Sequence, residues 1–157
     1  MTKMSVRVTL AAAAIASASC TLGTVSQTGS QTGEMSRAVI DPYVKISEAL
    51  ASDNVEGVKM NAGEIATAAT ALGALAVKID TSAVQLSNAG DLEDAREKFG
   101  ALSEAIDLYM TSQHFPPPAG VRVAFCPMVK KPWLQNDGSL RNPYHGSQML
   151  TCGSFRN

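Results

Sequence analysis

Asp91-Leu-Glu-Asp-Ala-Arg-Glu-Lys-Phe99-Gly-Ala-Leu102-Ser-Glu-Ala-Ile106-Asp-Leu-Tyr109 is the stretch whose reading decides the fold. Leu92, Ala95, Phe99, Leu102, Ile106 and Tyr109 recur at alternating three- and four-residue steps, which aligns them on one face of an α-helix. Glu93, Arg96, Glu97, Lys98, Glu104 and Asp107 fall on the other faces. Asp91 stands just before the first apolar residue, where a carboxylate accepts from the free N–H groups of the first turn. A helix with one apolar stripe has to bury it against another element.

Moving outward towards the N-terminus, the same periodicity returns. Val39, Tyr43, Ile46 and Leu50 line one helical face, and Asp41-Pro42 predicts an N-cap followed by Pro at the first helical position. That helix is expected to end near Ser52. Asp53, with Glu56 three residues on, reads as a capping box for the next helix. Val58, Ala62, Ile65, Ala69, Leu72, Ala76 and Ile79 then form a narrow seam. Gly57, Gly63 and Gly73 each weaken such a helix by roughly 0.5–1 kcal/mol, so it depends on tertiary packing. Thr81 to Ala89 predicts a shorter helix carrying Val84 and Leu86, stopped at Asn88-Ala-Gly90. Short connections make neighbouring helices antiparallel. The expected fold is therefore mainly α, an antiparallel up-down three- or four-helix bundle.

Towards the C-terminus, His114-Phe-Pro116-Pro-Pro118 cannot continue a helix, and His114 is expected as an exposed helix-end residue. Val121, Val123 and Phe125 alternate with Arg122, Ala124 and Cys126, which predicts a short strand with one apolar face. Asn136-Asp-Gly138-Ser and Asn142-Pro143 signal turns. The C-terminal third is thus expected to be a small cap containing one or two short strands, packed on the bundle by Trp133, Leu134 and Leu140.

Charge and length exclude several functions. The 157-residue chain has a formal net charge of −1, and its basic residues are scattered, so nothing favours nucleic acid. No apolar run reaches the ~18 residues that a membrane-spanning helix needs. Lys3 and Arg7 precede the uncharged stretch Val8 to Ala18, the pattern of a secretory signal peptide over residues 1–20. Ala16-Ser17-Ala18 offers ordinary cleavage, whereas Ser17-Ala18-Ser19-Cys20 resembles a lipobox with Cys20 as the lipidated residue. Thr, Ser, Gln and Gly dominate the next segment, so residues 21–35 are expected to be a flexible tether and 36–157 the folded domain. The expected location is the periplasm, with a lipid on Cys20 as the only membrane attachment.

Chemistry-bearing residues concentrate between Phe125 and Gly153. This span holds the only Trp (Trp133), Cys126, Cys152, Met128, Met149 and His145. On an extended chain Cys126 and Met128 point to one side. His145, Met149 and Cys152, spaced by four and three, share a face if their segment turns helically. Thiolate, thioether and imidazole donors suit Cu(I) or Ag(I), and Zn(II) through Cys and His. The other reading is a Cys126–Cys152 disulfide, closing a loop of about 27 residues and worth roughly 3–4 kcal/mol in the chain-entropy model. Met128 and Met149 are then core filler, His145 a turn residue, and Trp133, Pro143 and Tyr144 a docking surface. Residue types alone leave both open.

Catalysis finds little support. No His lies between Met1 and Gln113, so the helices lack a di-metal ligand pattern. Ser147 and Cys152 are near His145 in sequence, without an orienting acid. There is no C-x-x-C, C-x-x-C-H or H-E-x-x-H motif.

The combination Cys126-Pro-Met128, Trp133-Leu-Gln135, Asn142-Pro143-Tyr144-His-Gly146 and Met149-Leu-Thr-Cys152-Gly153 resembles a poorly characterised bacterial periplasmic domain family. Tyr43-x-x-Ile46-x-x-Ala49-Leu50-Ala-x-Asp53 and Phe99-x-x-Leu102-Ser103 extend the resemblance, which spans about Ile40 to Phe155. That domain occurs alone after a signal peptide and also fused to periplasmic adaptor proteins of heavy-metal (copper/silver) efflux. The resemblance implies a metal-binding or metal-trafficking domain rather than an enzyme, with an efflux adaptor or other envelope protein as partner. Cys126, Met128, Met149 and Cys152 match the motif and are the implied ligands, with His145 optional. Some members carry His before Cys-Pro-Met where this chain has Phe125.

Overall fold

A computed structural model describes residues 35–156. The expected signal peptide, the lipidation site Cys20 and all but the last residue of the expected tether lie outside the described residues. That last residue, Met35, is fully buried in the core, and its N–H reaches the Pro116 carbonyl at 3.4 Å.

The described chain is mainly helical, with a small antiparallel sheet at its C-terminal end. Four α-helices come first: α1 (Arg37–Ala51), α2 (Val58–Ala71), α3 (Val77–Ser87) and α4 (Leu92–Gln113). Three strands succeed them, β1 (Val121–Cys126), β2 (Lys131–Asn136) and β3 (Ser154–Phe155), in the order β2-β1-β3. The sheet thus has one strand more than the one or two expected. Consecutive helices pack on one another, and β2 lies against both α4 and α1.

α4 runs as the periodicity requires. The Asp91 carboxylate accepts from the Asp94 N–H at 2.9 Å, and Ala95, Phe99, Leu102, Ile106 and Tyr109 are buried. His114 ends the helix in the left-handed conformation, exposed, with φ 56°.

The other helices depart from expectation at their ends. α1 begins at Arg37, so Pro42 is inside the helix rather than at its first position. Pro42 has no N–H to give the carbonyl of Ala38, but Ala38 is exposed to solvent, and the extra turn buries Val39 and Ile40. Asp53 does not cap α2: it has φ 55°, and Gly57 stands at the helix start. The seam from Val58 to Ile79 is not one helix either. The chain turns at Gly73 (φ 79°), makes a short 3₁₀ turn over Ala74–Ala76, and starts α3 four residues before Thr81. Ala76 and Ile79 remain fully buried, so the seam's burial survives although its continuity does not.

In the sheet, Ala124 pairs with Trp133 and Val123 with Leu134. Val121 is buried and Arg122 exposed as expected, but further along Ala124 and Cys126 are fully buried while Val123 and Phe125 are half-buried, the reverse of the face expected from their hydrophobicity. Small side chains on that face make room for the fully buried Trp133 indole opposite. Pro132 is tolerated because β2 is an edge strand.

Candidate metal and thiol site

The cap is built around buried polar groups, of which Asn142, Tyr144, Trp133 and Gln135 have hydrogen-bond partners. Asn142 is fully buried; its amide donates to the Cys152 carbonyl at 2.6 Å, and its side-chain oxygen accepts from the Tyr144 N–H at 2.8 Å. The Tyr144 hydroxyl donates to the Pro132 carbonyl. Trp133 gives its indole N–H to Gln135 Oε1 at 3.1 Å, an oxygen that also accepts from the Arg141 N–H at 3.0 Å. Trp133 meets Tyr144 edge-on, Tyr144 leans on Phe99, and Phe99 stacks on Tyr43 at 4.9 Å. Burial raises the Tyr43 and Tyr144 hydroxyl pKa values, keeping both neutral.

Gly146 and Gly153 occupy backbone conformations with φ 55° and 141°. A Cβ at Gly153 would lie 2.7 Å from the Trp133 ring, and one at Gly146 would strike Asp53 and Arg96. Trp133, Asn142, Pro143, Tyr144, Gly146 and Gly153 are therefore packing residues. All but the half-buried Gly153 are buried, so they form no docking surface.

The two cysteines do come together. Cys126 ends β1 with no exposure, Cys152 just precedes β3 half-buried, and both are free thiols. Burial pushes the Cys152 thiol pKa up, and both the charge of Cys126 and a hydrogen bond with it add to that rise.

The methionines are elsewhere than the spacings suggest. β1 stops at Cys126, so Met128 belongs to the following turn and is 64% exposed. Gly146–Gln148 makes only one 3₁₀ turn, and Met149 (φ −145°) has left it, 40% exposed. His145, Met149 and Cys152 consequently share no helical face. His145 is half-buried, and its Nε2 is buried without a hydrogen-bond partner.

No family model, no curated protein and no solved structure matches this chain.

Among the described residues no three His, Cys, Asp or Glu side chains gather as a metal-holding group. The soft donors on hand are the thiol pair and two surface methionines nearby in sequence. Two thiolates in contact fit a two-coordinate soft cation such as Cu(I), which hard carboxylate ligands do not suit.

A second cluster is invisible in the sequence. Arg96 donates to the Leu50 carbonyl at 2.9 Å, to Asp53 at 2.5 Å and to the Pro143 carbonyl at 3.0 Å. Asp53 also accepts from the Ser147 N–H at 3.1 Å. Hydrogen bonds from Ser147, then from Arg96, hold the Asp53 carboxyl at about 2. This clamp ties the end of α1 to α4 and to the loop before β3. The helical period puts Arg96 on a solvated face, and local spacing makes Asp53 a helix cap. Only the left-handed glycine opposite them hints at a close approach.

Proposed function

We propose that this chain is an exported, periplasmic metal-binding protein that holds Cu(I) or Ag(I) through Cys126 and Cys152. Met128 and Met149 serve as thioether donors and His145 as an optional further ligand. The helices, taken as an antiparallel up-down bundle, are scaffold. The partner is a heavy-metal efflux adaptor or another envelope protein that delivers or receives the cation. Export and the efflux link rest on the sequence, from the signal-like start and the family resemblance.

One observation carries the metal reading. Met128 and Met149 are exposed where a purely structural cap would use them as core filler, and each lies within three residues in sequence of one cysteine of a contacting thiol pair. Reduced full-length protein titrated with Cu(I) against a chromophoric chelator is expected to bind one equivalent. Cys126→Ser should abolish that binding, and the double variant Met128→Leu, Met149→Leu should weaken it. Absence of binding by the reduced protein refutes the proposal.

The contact between the thiols equally favours a second reading, a disulfide-closed structural module of the envelope. Intact mass and thiol counting on protein purified from the periplasm separate the two. A chain lighter by two hydrogens, with no retained metal, favours the disulfide.

A further inference from the structure

Cys126 and Cys152 lie on neighbouring segments of one sheet. β1 ends at Cys126, and β3, which pairs with it through Ala124–Phe155 and Phe125–Ser154, starts just after Cys152-Gly153. The backbone of Cys152 is fixed on both sides. Its N–H donates to the Met149 carbonyl at 3.0 Å, and its carbonyl accepts from the buried Asn142 amide at 2.6 Å. Gly153, next to it, fits so closely that a Cβ would strike the Trp133 ring and the Phe125 carbonyl.

The fold therefore holds the two free thiols in hydrogen-bond contact without a bond between the sulfurs. The loop that joins them is also closed by other means. The Asn142 N–H donates to the Leu150 carbonyl at 2.6 Å, and Arg96 donates to the Pro143 carbonyl at 3.0 Å. Reduced and oxidised pairs can share this backbone.

Access to the two sulfurs is unequal. Cys126 has no exposed surface, whereas Cys152 is half-buried. A reagent from solvent meets Cys152 first, and Cys126 is left to react with a sulfur already joined to Cys152. An open thiol backed by a sealed one suits sequential exchange through a mixed disulfide.

We infer that Cys126 and Cys152 form a reversible dithiol switch that exchanges with disulfides from solvent, entered at Cys152 and resolved by Cys126. Cys152 loses its proton and attacks one sulfur of an incoming disulfide RSSR. The S–S bond of the oxidant breaks, and one RSH leaves with that proton. Cys126 then attacks the Cys152 sulfur, and the second RSH leaves with the Cys126 proton. The pair has given up two hydrogen atoms, and RSSR has been reduced to two RSH. A reducing dithiol reverses the sequence, again from Cys152. A structural disulfide differs in closing once and staying closed. The consequence for the cation rests on the metal-binding reading: a closed pair offers no thiolate, so closure empties the site.

The test uses the full chain in a Cys20→Ser background, reduced, metal-free and mixed with excess glutathione disulfide, followed by acid-quenched intact mass and peptide mapping. The unsubstituted pair is expected to end two hydrogens lighter, with glutathione appearing only transiently and only on Cys152. Cys126→Ser should accumulate one glutathione on Cys152. Cys152→Ser should acquire it on Cys126 at least ~10-fold more slowly while folded, and at the ordinary rate in urea. The mapped transient in the unsubstituted pair decides the order of attack without any substitution in the core. Dithiothreitol should reopen the closed pair faster than the protein unfolds. Equal reaction of the two cysteines, glutathione that persists on the unsubstituted pair, or a closed pair that opens only in urea overturns the proposal. Cu(I) titration of the same samples separates the two ideas. Ordered exchange in a protein whose reduced form binds no Cu(I) supports the switch and refutes the metal reading alone.

Discussion

Asp53 shows how much can hang on one carboxylate. It bridges Arg96 and Ser147 across three segments, and Gly146 has to be glycine because the bridge occupies the space a side chain would take. Gly146→Ala should cost about 1–3 kcal/mol, read as a lowered urea midpoint, since it adds both strain at φ 55° and a clash. The bridge also sets a pH dependence. Asp53 has its folded pKa lowered from 3.8 to about 2, so its contribution is complete above the unfolded value and is lost as pH falls through the folded one. Urea midpoints measured from pH ~5 down to ~2 should fall in the native protein, and the fall should be shallower in Asp53→Asn. An unchanged slope in that variant would remove Asp53 from the acid response. None of this is legible from the Asp53-x-x-Glu56 spacing, which reads as a local capping box. The partners that capture Asp53 instead lie 43 and 94 residues away.

At the scale of elements, the sequence foretells what local physics controls. α4 has a strong apolar period, a capping Asp and a proline stop, and it starts and ends where those signals lie. Asp91→Ala should therefore cost roughly 0.5–2 kcal/mol, measurable as a thermal shift, by freeing the Asp94 N–H. α1 starts earlier than its signals indicate because burial of Val39 and Ile40 outweighs the local preference of Pro42 for a first turn. The α2 seam reads straight through Gly73 because apolar spacing is blind to a positive φ. β2 has no clear signal, since Lys131-Pro132 lacks a strand's alternation; its place comes from pairing with β1 and covering α1 and α4. The candidate site divides in the same way. The proximity of Cys126 and Cys152 is legible because only two cysteines occur in the C-terminal third. The methionine placements are not, because the spacing argument needs regular structure past Cys126 and through Met149.

For the molecule as a whole, the sheet is part of the core rather than a cover on a finished helical domain. α1 and α4 touch each other little, and β2 lies against both. Tyr43 of α1 bonds Ser103 of α4 at 2.5 Å and also accepts the Leu134 N–H at 3.4 Å, so one buried hydroxyl joins two helices and the sheet. Trp133 and Leu134 are fully buried. Removing the strands would uncover the apolar faces of α1 and α4 and strand the Tyr43–Ser103 pair in contact with water. Leu134→Ala should accordingly cost about 2–5 kcal/mol, the range for a core leucine that leaves a cavity. A chain ending after Gln113 should keep helical far-ultraviolet dichroism, lose its cooperative thermal transition and bind a hydrophobic dye, the marks of collapse without fixed packing. Were that fragment to melt cooperatively near the temperature of the full chain, the helices would be a domain in their own right. Coupling of the thiol pair to the fold would then run through the sheet alone. With the sheet inside the core, a change at Cys126, which shares the buried face of β1 with Ala124 opposite Trp133, is expected to move global stability. Metal loading or oxidation of the pair should therefore shift the melting temperature of the entire protein in one transition.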